Sequence, residues 1–170
     1  ARTWAINPHV KYHFCNEILR DEFYTGKWEY QDCNKHTIFL SQAGYPIKGL
    51  HKVLQAMPII LRHYPDAMVR IAGNDIMDKP FYRITGYGKY IRYLIRKYNL
   101  QDKVEFLGNL SEKQMCEAYL NANVFICPSS IENSPNSLGE AQLLGVPYIA
   151  SYVGGVMDMM VGDEENIYRF

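Results

Sequence analysis

The chain has 170 residues and a mass of 19.7 kDa, which suits one ordinary domain and is short for two. Eighteen Lys and Arg balance eighteen Asp and Glu, and zero net charge argues against nucleic-acid binding driven by a basic excess. No apolar run approaches the roughly 20 residues that span a bilayer, and an opening with Arg2, Asn7 and Pro8 is not the apolar run of a signal peptide.

Residues 1–9 contain Asn7-Pro8 and little periodicity, so they read as linker. A short helix is expected around Glu17–Phe23, and Tyr24, Trp28 and Tyr30 near Gly26 predict a loop packed on a surface. Regular alternation begins at Thr37–Leu40, a β-branched and aromatic strand that ends in the turn Ala43-Gly44-Tyr45-Pro46. Lys48–Tyr64 follows as a helix, because Leu50, Val53, Leu54, Met57 and Leu61 recur at helical spacing; Pro58 lies inside it as a bend point. Met68–Ala72 is a strand closed by Gly73-Asn74-Asp75. Tyr87–Tyr98 is a helix with Ile91, Leu94, Ile95 and Tyr98 on its apolar face. Val104–Leu107 is a strand closed by Gly108-Asn109. Ser111–Leu120 is a helix opened by the capping-box sequence Ser111-Glu112-Lys113-Gln114. Val124–Cys127 is a strand, Asn136–Leu144 a helix ended by Gly145, Val146–Ala150 a strand before Val153-Gly154-Gly155, and Ile167–Phe170 a further strand-like run.

Strands alternating with helices over short connections predict an α/β fold: a Rossmann-like parallel sheet with helices on both faces. In such sheets ligands bind at the carboxyl ends of the strands. Glycine and polar residues collect at those ends, in 42–49, 73–75, 108–109, 129–140 and 154–155. Glycine lets backbone approach a ligand closely, although strand-to-helix turns also use it for geometry alone.

The richest stretch runs from Pro128 to Ala141 and holds Glu132 and Glu140. Ser134 or Asn136 can cap the helix that begins there, and Pro135 suits its first position. Its free N–H groups form a natural anion site. Ser137-x-x-Glu140 has capping-box spacing, so a capping role competes with a binding role for Glu140, and Glu132 reads equally as a solvated loop carboxylate.

The run from Thr37 to Phe170 resembles the C-terminal, nucleotide-sugar-binding domain of retaining glycosyltransferases of the GT-B fold, family GT4 (group 1). The resemblance rests on Lys48-Gly49-Leu50, Val69–Gly73, Lys103–Gly108, Val124–Ser129, the spacing from Glu132 to Glu140 that matches the E-x7-E signature, Ala141–Pro147 and Val153-Gly154-Gly155, all in the family's order. It implies that residues 37–170 form the donor domain, that residues 1–36 are an interdomain linker and packing segment, and that an N-terminal acceptor domain is absent. The chain begins at Ala1 and stops at Phe170 in a strand-like run, as expected for one domain of a longer protein.

The resemblance also implies roles. Lys48 would contact the donor diphosphate and Glu132 would hold hydroxyls of the donor sugar; these two are the candidate catalytic residues. Glu140 would hold the ribose hydroxyls. The amides around Asn136, Ser137 and Leu138 would sit by the phosphates. Leu107 and Gly108 would lie by the base, and Gly44 and Gly73 would let backbone approach the donor. The Gly-Arg pair common ahead of Lys-Gly in the family is Gln42-Ala43 here, and the Gly-Phe-Gly common between the glutamates is Asn133-Ser134-Pro135. The implied activity is retaining hexosyl transfer from a nucleoside-diphosphate sugar to a saccharide or lipid-linked acceptor, as in polysaccharide biosynthesis, with no cofactor, no metal and no DxD motif. The isolated fragment is expected to bind nucleotide and to catalyse little or nothing. Alternatives are a catalytically silent nucleotide-sugar-binding module, or another GT-B enzyme such as a nucleotide-sugar epimerase or a sugar phosphorylase.

Cys15, Cys33, Cys116 and Cys127 are far apart, with no CxxC pair, which predicts reduced core thiols rather than a zinc site. A cytoplasmic protein is expected, at the inner face of the membrane if the basic stretch Lys79, Arg83, Lys89, Arg92, Arg96 and Lys97 meets anionic lipid. A solvated helix face accounts for the same charges. The five histidines form no catalytic constellation, and His51 reads as structural or solvent-facing.

Overall fold

Six strands form one parallel sheet: β1 (Thr37–Leu40), β2 (Met68–Ile71), β3 (Val104–Phe106), β4 (Val124–Cys127), β5 (Tyr148–Ser151) and β6 (Ile167–Tyr168). Their spatial order is β3-β2-β1-β4-β5-β6. The computed structural model describes residues 5–11, 18–162 and 164–168. Cys15, Glu17 and the last two residues of the expected terminal strand lie outside the described residues. β1 is central, pairing in register Thr37↔Met68 through Leu40↔Ile71 on one side and Ile38↔Val124, Phe39↔Phe125 on the other. Parallel strands need crossovers, and the helices supply them.

Five α-helices are described: α1 (Leu50–His63), α2 (Gly86–Lys97), α3 (Glu112–Leu120), α4 (Asn136–Leu144) and α5 (Val156–Met159). They divide between the two faces of the sheet. Ile38 and Leu40 of β1 point into a core with Leu50, Leu54 and Met57 of α1 and Ile91, Leu94 and Ile95 of α2. Phe39, Phe125 and Cys127 point the other way, into a core with Cys116 and Tyr119 of α3 and Leu138, Ala141 and Leu144 of α4. The alternation follows from the period of two along a strand, and both faces are covered, so all four residues of β1 are buried.

From Thr37 onward the expected elements appear close to their expected bounds, and the shifts have local causes. The helix expected around Glu17–Phe23 is not formed at 18–20 and gives way to a 3₁₀ turn over Asp21–Tyr24. α1 starts at Leu50 rather than Lys48 because Pro46–Lys48 forms a tight 3₁₀ turn and Gly49 adopts φ +78°. A Cβ at Gly49 would overlap the Pro128 carbonyl oxygen, so the turn lies directly on the loop after β4. β5 starts at Tyr148 rather than Val146, because the Val146 amide turns back to the Ala141 carbonyl at 3.0 Å and closes the end of α4 around Gly145. The capping box at Ser111 is formed, with Gln114 N–H donating to Ser111 Oγ at 3.4 Å and Ser111 N–H to Gln114 Oε1 at 2.9 Å. The single turn α5 has no sequence expectation behind it.

Residues 18–36 pack on α3 and α4. A 3₁₀ turn at Asp21–Tyr24 places Phe23, fully buried, edge-on to Tyr119 with ring centroids 5.6 Å apart. Tyr119 also meets Phe39 at 4.8 Å and Phe125 at 5.0 Å, so one ring joins the incoming segment to the sheet. The Trp28 indole N–H donates to the Ala122 carbonyl at 2.8 Å, and the Trp28 amide to the Leu144 carbonyl at 2.8 Å. Tyr24 and Tyr30 instead face solvent. Phe23→Ala is expected to cost about 3–5 kcal/mol, read from chemical denaturation; a loss below about 1 kcal/mol would show that this segment is not part of the cooperative unit.

Candidate functional site

β1 and β4 are neighbours, yet their connections leave toward opposite edges of the sheet: β1 leads to β2, and β4 leads to β5. Loops that diverge in this way leave a crevice beyond the carboxyl ends of the strands. A cavity of about 750 Å³ fills it, within the range of about 300–1,000 Å³ of small-molecule sites. Ser41 and Gln42 after β1, Gly73 after β2, Asn109 after β3, Ser129 after β4 and the loop into α4 all contribute to its walls.

Two ion pairs cross this cavity. Lys48, in the turn before α1, places Nζ 2.6 Å from Glu132 Oε1, and both side chains are largely removed from solvent. Arg20, in the incoming segment, sends Nε to Glu140 Oε1 at 2.9 Å and Nη2 to the same oxygen at 2.7 Å. Glu140 is 4% exposed. Burial pushes its carboxyl above the usual value of 4.5, while Arg20 and the Tyr119 hydroxyl pull it back. The four charged groups sum to zero, so the cavity carries two cations and two anions that are each other's counterions.

The loop bearing Glu132 is held from below. Ser130 N–H donates to the Ile47 carbonyl at 2.7 Å, and Lys52 Nζ donates to Ser130 Oγ at 3.2 Å. Ser151 Oγ bonds the Cys127 carbonyl at 3.2 Å and also the Ser129 carbonyl. Gly154, at φ +50°, lies so close that a Cβ there would overlap the Glu132 carbonyl oxygen, and one at Gly155 would overlap that of Asn133. The sequence marked the two glycines; the structure gives their reason as contact with the Glu132 loop.

α4 begins without a side-chain cap. Pro135 occupies the capping position, so neither Ser134 nor Asn136 caps the helix; the Ser134 hydroxyl instead lies 3.5 Å from Met159 Sδ. The Leu138 amide donates to the Pro135 carbonyl at 2.9 Å, and the Leu138 side chain is buried in the core. Among the described residues the amides of Asn136 and Ser137 have no such partner, and both residues line the cavity. The amides left open at this helix start are therefore those of Asn136 and Ser137, without Leu138. Glu140 lies one turn further in and is bound to Arg20, so it forms no capping box with Ser137.

Of the other expected site residues, Gly73 lines the cavity, and Gly44 lines an adjoining one of about 430 Å³. Leu107 and Gly108 are not among the residues that line either cavity; Gly108 reaches them only through Gly73, whose N–H donates to the Gly108 carbonyl at 2.8 Å. His51 stands edge-on to Tyr87 at 5.9 Å outside the cavity, and burial lowers its pKa. Lys89, Arg96 and Lys97 face solvent, while Arg92 donates to the Met77 carbonyl at 2.8 Å. Cys33, Cys116 and Cys127 are free buried thiols, and burial raises the pKa of the last two. No helix among the described residues is long and apolar enough to cross a membrane. Arg20 is the site residue that sequence reasoning missed, because it stands in a segment without periodicity and its partner is 120 residues away.

The model of the family described as glycosyl transferases group 1 matches residues 27–168. The chain belongs to that family. An uncharacterized glycosyltransferase of Methanocaldococcus jannaschii is 28% identical over 140 residues, covering 82% of this chain and 33% of its own. Among solved structures, sucrose-phosphate synthase from Thermosynechococcus elongatus superposes with a TM-score of 0.63 at 26% identity, over 78% of this chain and 31% of that one. The pneumococcal O-GlcNAc transferase solved with UDP and GlcNAc superposes with a TM-score of 0.57 at 16% identity, over 76% of this chain and 24% of its own. The Rossmann-like sheet is thus that of GT-B glycosyltransferases, and the chain spans about a third or less of the length of each of these proteins.

Because the folded-state pKa of Glu140 is raised, its contribution to stability is fully present below the ordinary value of 4.5 and is lost as pH rises through the folded value. Glu140→Gln cannot titrate. Thermal denaturation from about pH 4 to about pH 8 is therefore expected to show wild type losing stability relative to this variant as pH rises. A pH-independent difference would contradict the burial of an ionising carboxyl.

Proposed function

We propose that this chain is the donor-binding part of a retaining hexosyltransferase that uses a nucleoside-diphosphate sugar. The carrying observation is the Lys48–Glu132 pair at the β1/β4 crevice, beside the open amides of Asn136 and Ser137. Lys48 and those amides meet the charge that develops on the departing diphosphate. Glu132 accepts from hydroxyls of the transferred sugar and fixes it beside that charge. Glu140, an acceptor with two oxygens, takes the ribose hydroxyls, and the loop at Leu107 and Gly108 takes the base. Donor binding separates Lys48 from Glu132 and gives each its own partner on the ligand. UDP in a structural neighbour supports the nucleotide part of this reading. The acceptor is a saccharide or a lipid-linked sugar bound mainly by an N-terminal domain, and the reaction uses no metal or cofactor.

Calorimetric titration of UDP, GDP and ADP into the folded chain tests the reading. One nucleotide is expected to bind, and Lys48→Ala and Glu140→Ala are each expected to weaken it about tenfold or more, in line with the loss of a charge-assisted hydrogen bond. Absence of binding to a folded chain, or binding indifferent to both substitutions, would overturn it.

A further inference from the structure

Glu140 is almost fully buried, yet it is ringed by few groups that favour its charge. From α3, the Tyr119 hydroxyl helps to hold its pKa down, whereas Cys116 is a thiol and Glu112 repels it. α4 itself carries no other titratable side chain. Across the cavity, Lys48 is bound to Glu132. Among the described residues, the cation paired with Glu140 is Arg20. An isolated carboxylate in such a place takes up a proton, and a protonated carboxyl no longer accepts hydrogen bonds at both oxygens.

The geometry of the contact is specific. Two N–H groups of Arg20 converge on Oε1, and the Tyr119 hydroxyl also acts on the carboxyl. The guanidinium carbon sits 4.6 Å from the centre of the Phe23 ring, and Phe23 is itself fully buried. The core thus fixes Phe23, Phe23 supports the guanidinium, and the guanidinium holds one oxygen of Glu140. Arg20 and Phe23 both precede residue 27, where the family match begins.

Resting on the donor reading above, we propose that Arg20 is a positioning residue that holds Glu140 in place and keeps it ionised, so that the carboxylate accepts the vicinal hydroxyls of the nucleotide's ribose. Arg20 then sets the preference for ribonucleotides without touching the base, the phosphates or the transferred sugar.

The test compares the nucleoside diphosphate that wild type prefers with its 2′-deoxy counterpart, each titrated into wild type, Arg20→Ala, Arg20→Gln and Glu140→Gln from about pH 5 to about pH 8. Wild type is expected to favour the ribonucleotide about tenfold with little change over this range. Arg20→Ala and Arg20→Gln are expected to lose that preference at the acid end and regain part of it as pH rises, because Glu140 then ionises without help. Affinity for the 2′-deoxy ligand is expected to stay near wild type. Arg20→Gln keeps a hydrogen-bond donor beside Glu140 and carries the test where Arg20→Ala does not fold. A purely structural role would weaken both ligands equally at every pH, and that result overturns the proposal. So does a ribose preference that both Arg20 variants keep at every pH while Glu140→Gln abolishes it; the donor reading then survives alone. A folded wild type that binds no nucleoside diphosphate, or whose ribose preference Glu140→Gln leaves intact, removes the assignment of Glu140 and the role of Arg20 with it.

Discussion

The crevice between β1 and β4 arises because adjacent parallel strands send their chains in opposite directions. The divergence exposes the carboxyl ends of two strands to one space, and everything polar in the site is arranged around it. The space is deep enough to strip charged side chains of most of their water. Charges there must be paired, and the pairing comes from distant sequence: residue 48 with 132, and residue 20 with 140. Neither pair is a stabilising device in itself, since desolvation offsets much of the attraction. What the pairs supply is a set of preplaced charges that a ligand of complementary charge can take over.

The two pairs differ in how they are held. Lys48 and Glu132 both sit in loops, and their loops are stacked on each other through Gly49 against the Pro128 carbonyl and through the Ser130–Ile47 hydrogen bond. Glu140 sits on a helix inside the core, and its partner stands on a buried aromatic ring. The first pair is free to exchange partners with little disturbance of the fold. The second is built into the packing of α3, α4 and the incoming segment, so its charge state and the stability of that face are coupled.

Much of the fold was legible from periodicity. β1, β4 and α4 have the bounds that Thr37–Leu40, Val124–Cys127 and Asn136–Leu144 predict. The misplacements occur where a local bond overrides the pattern: Gly49 delays α1, and the return of Val146 to Ala141 shortens β5. In the site, sequence reasoning named Lys48, Glu132, Asn136, Ser137 and Glu140, and all of these line one cavity. It could not tell that Leu138 spends its amide on Pro135, because hydrogen-bond bookkeeping within one turn depends on the dihedral angles of Pro135. Arg20 was out of reach for a different reason. Nothing in the residues around it repeats, and only tertiary contact with Phe23 and Glu140 gives it meaning.

The position of Phe23 bears on how fragments of such proteins are cut. A boundary drawn where family similarity starts, at residue 27, keeps every strand of the sheet and the whole glutamate-bearing loop. It also removes the ring that fills the space beside Tyr119 and the counterion of a buried carboxylate. Such a trimmed fragment would retain its recognisable sequence and yet open a hydrophobic hole next to the cavity, with an acidic group at the edge of it. For this chain, the cut that preserves this packing lies upstream of Arg20, in residues that the family match leaves out.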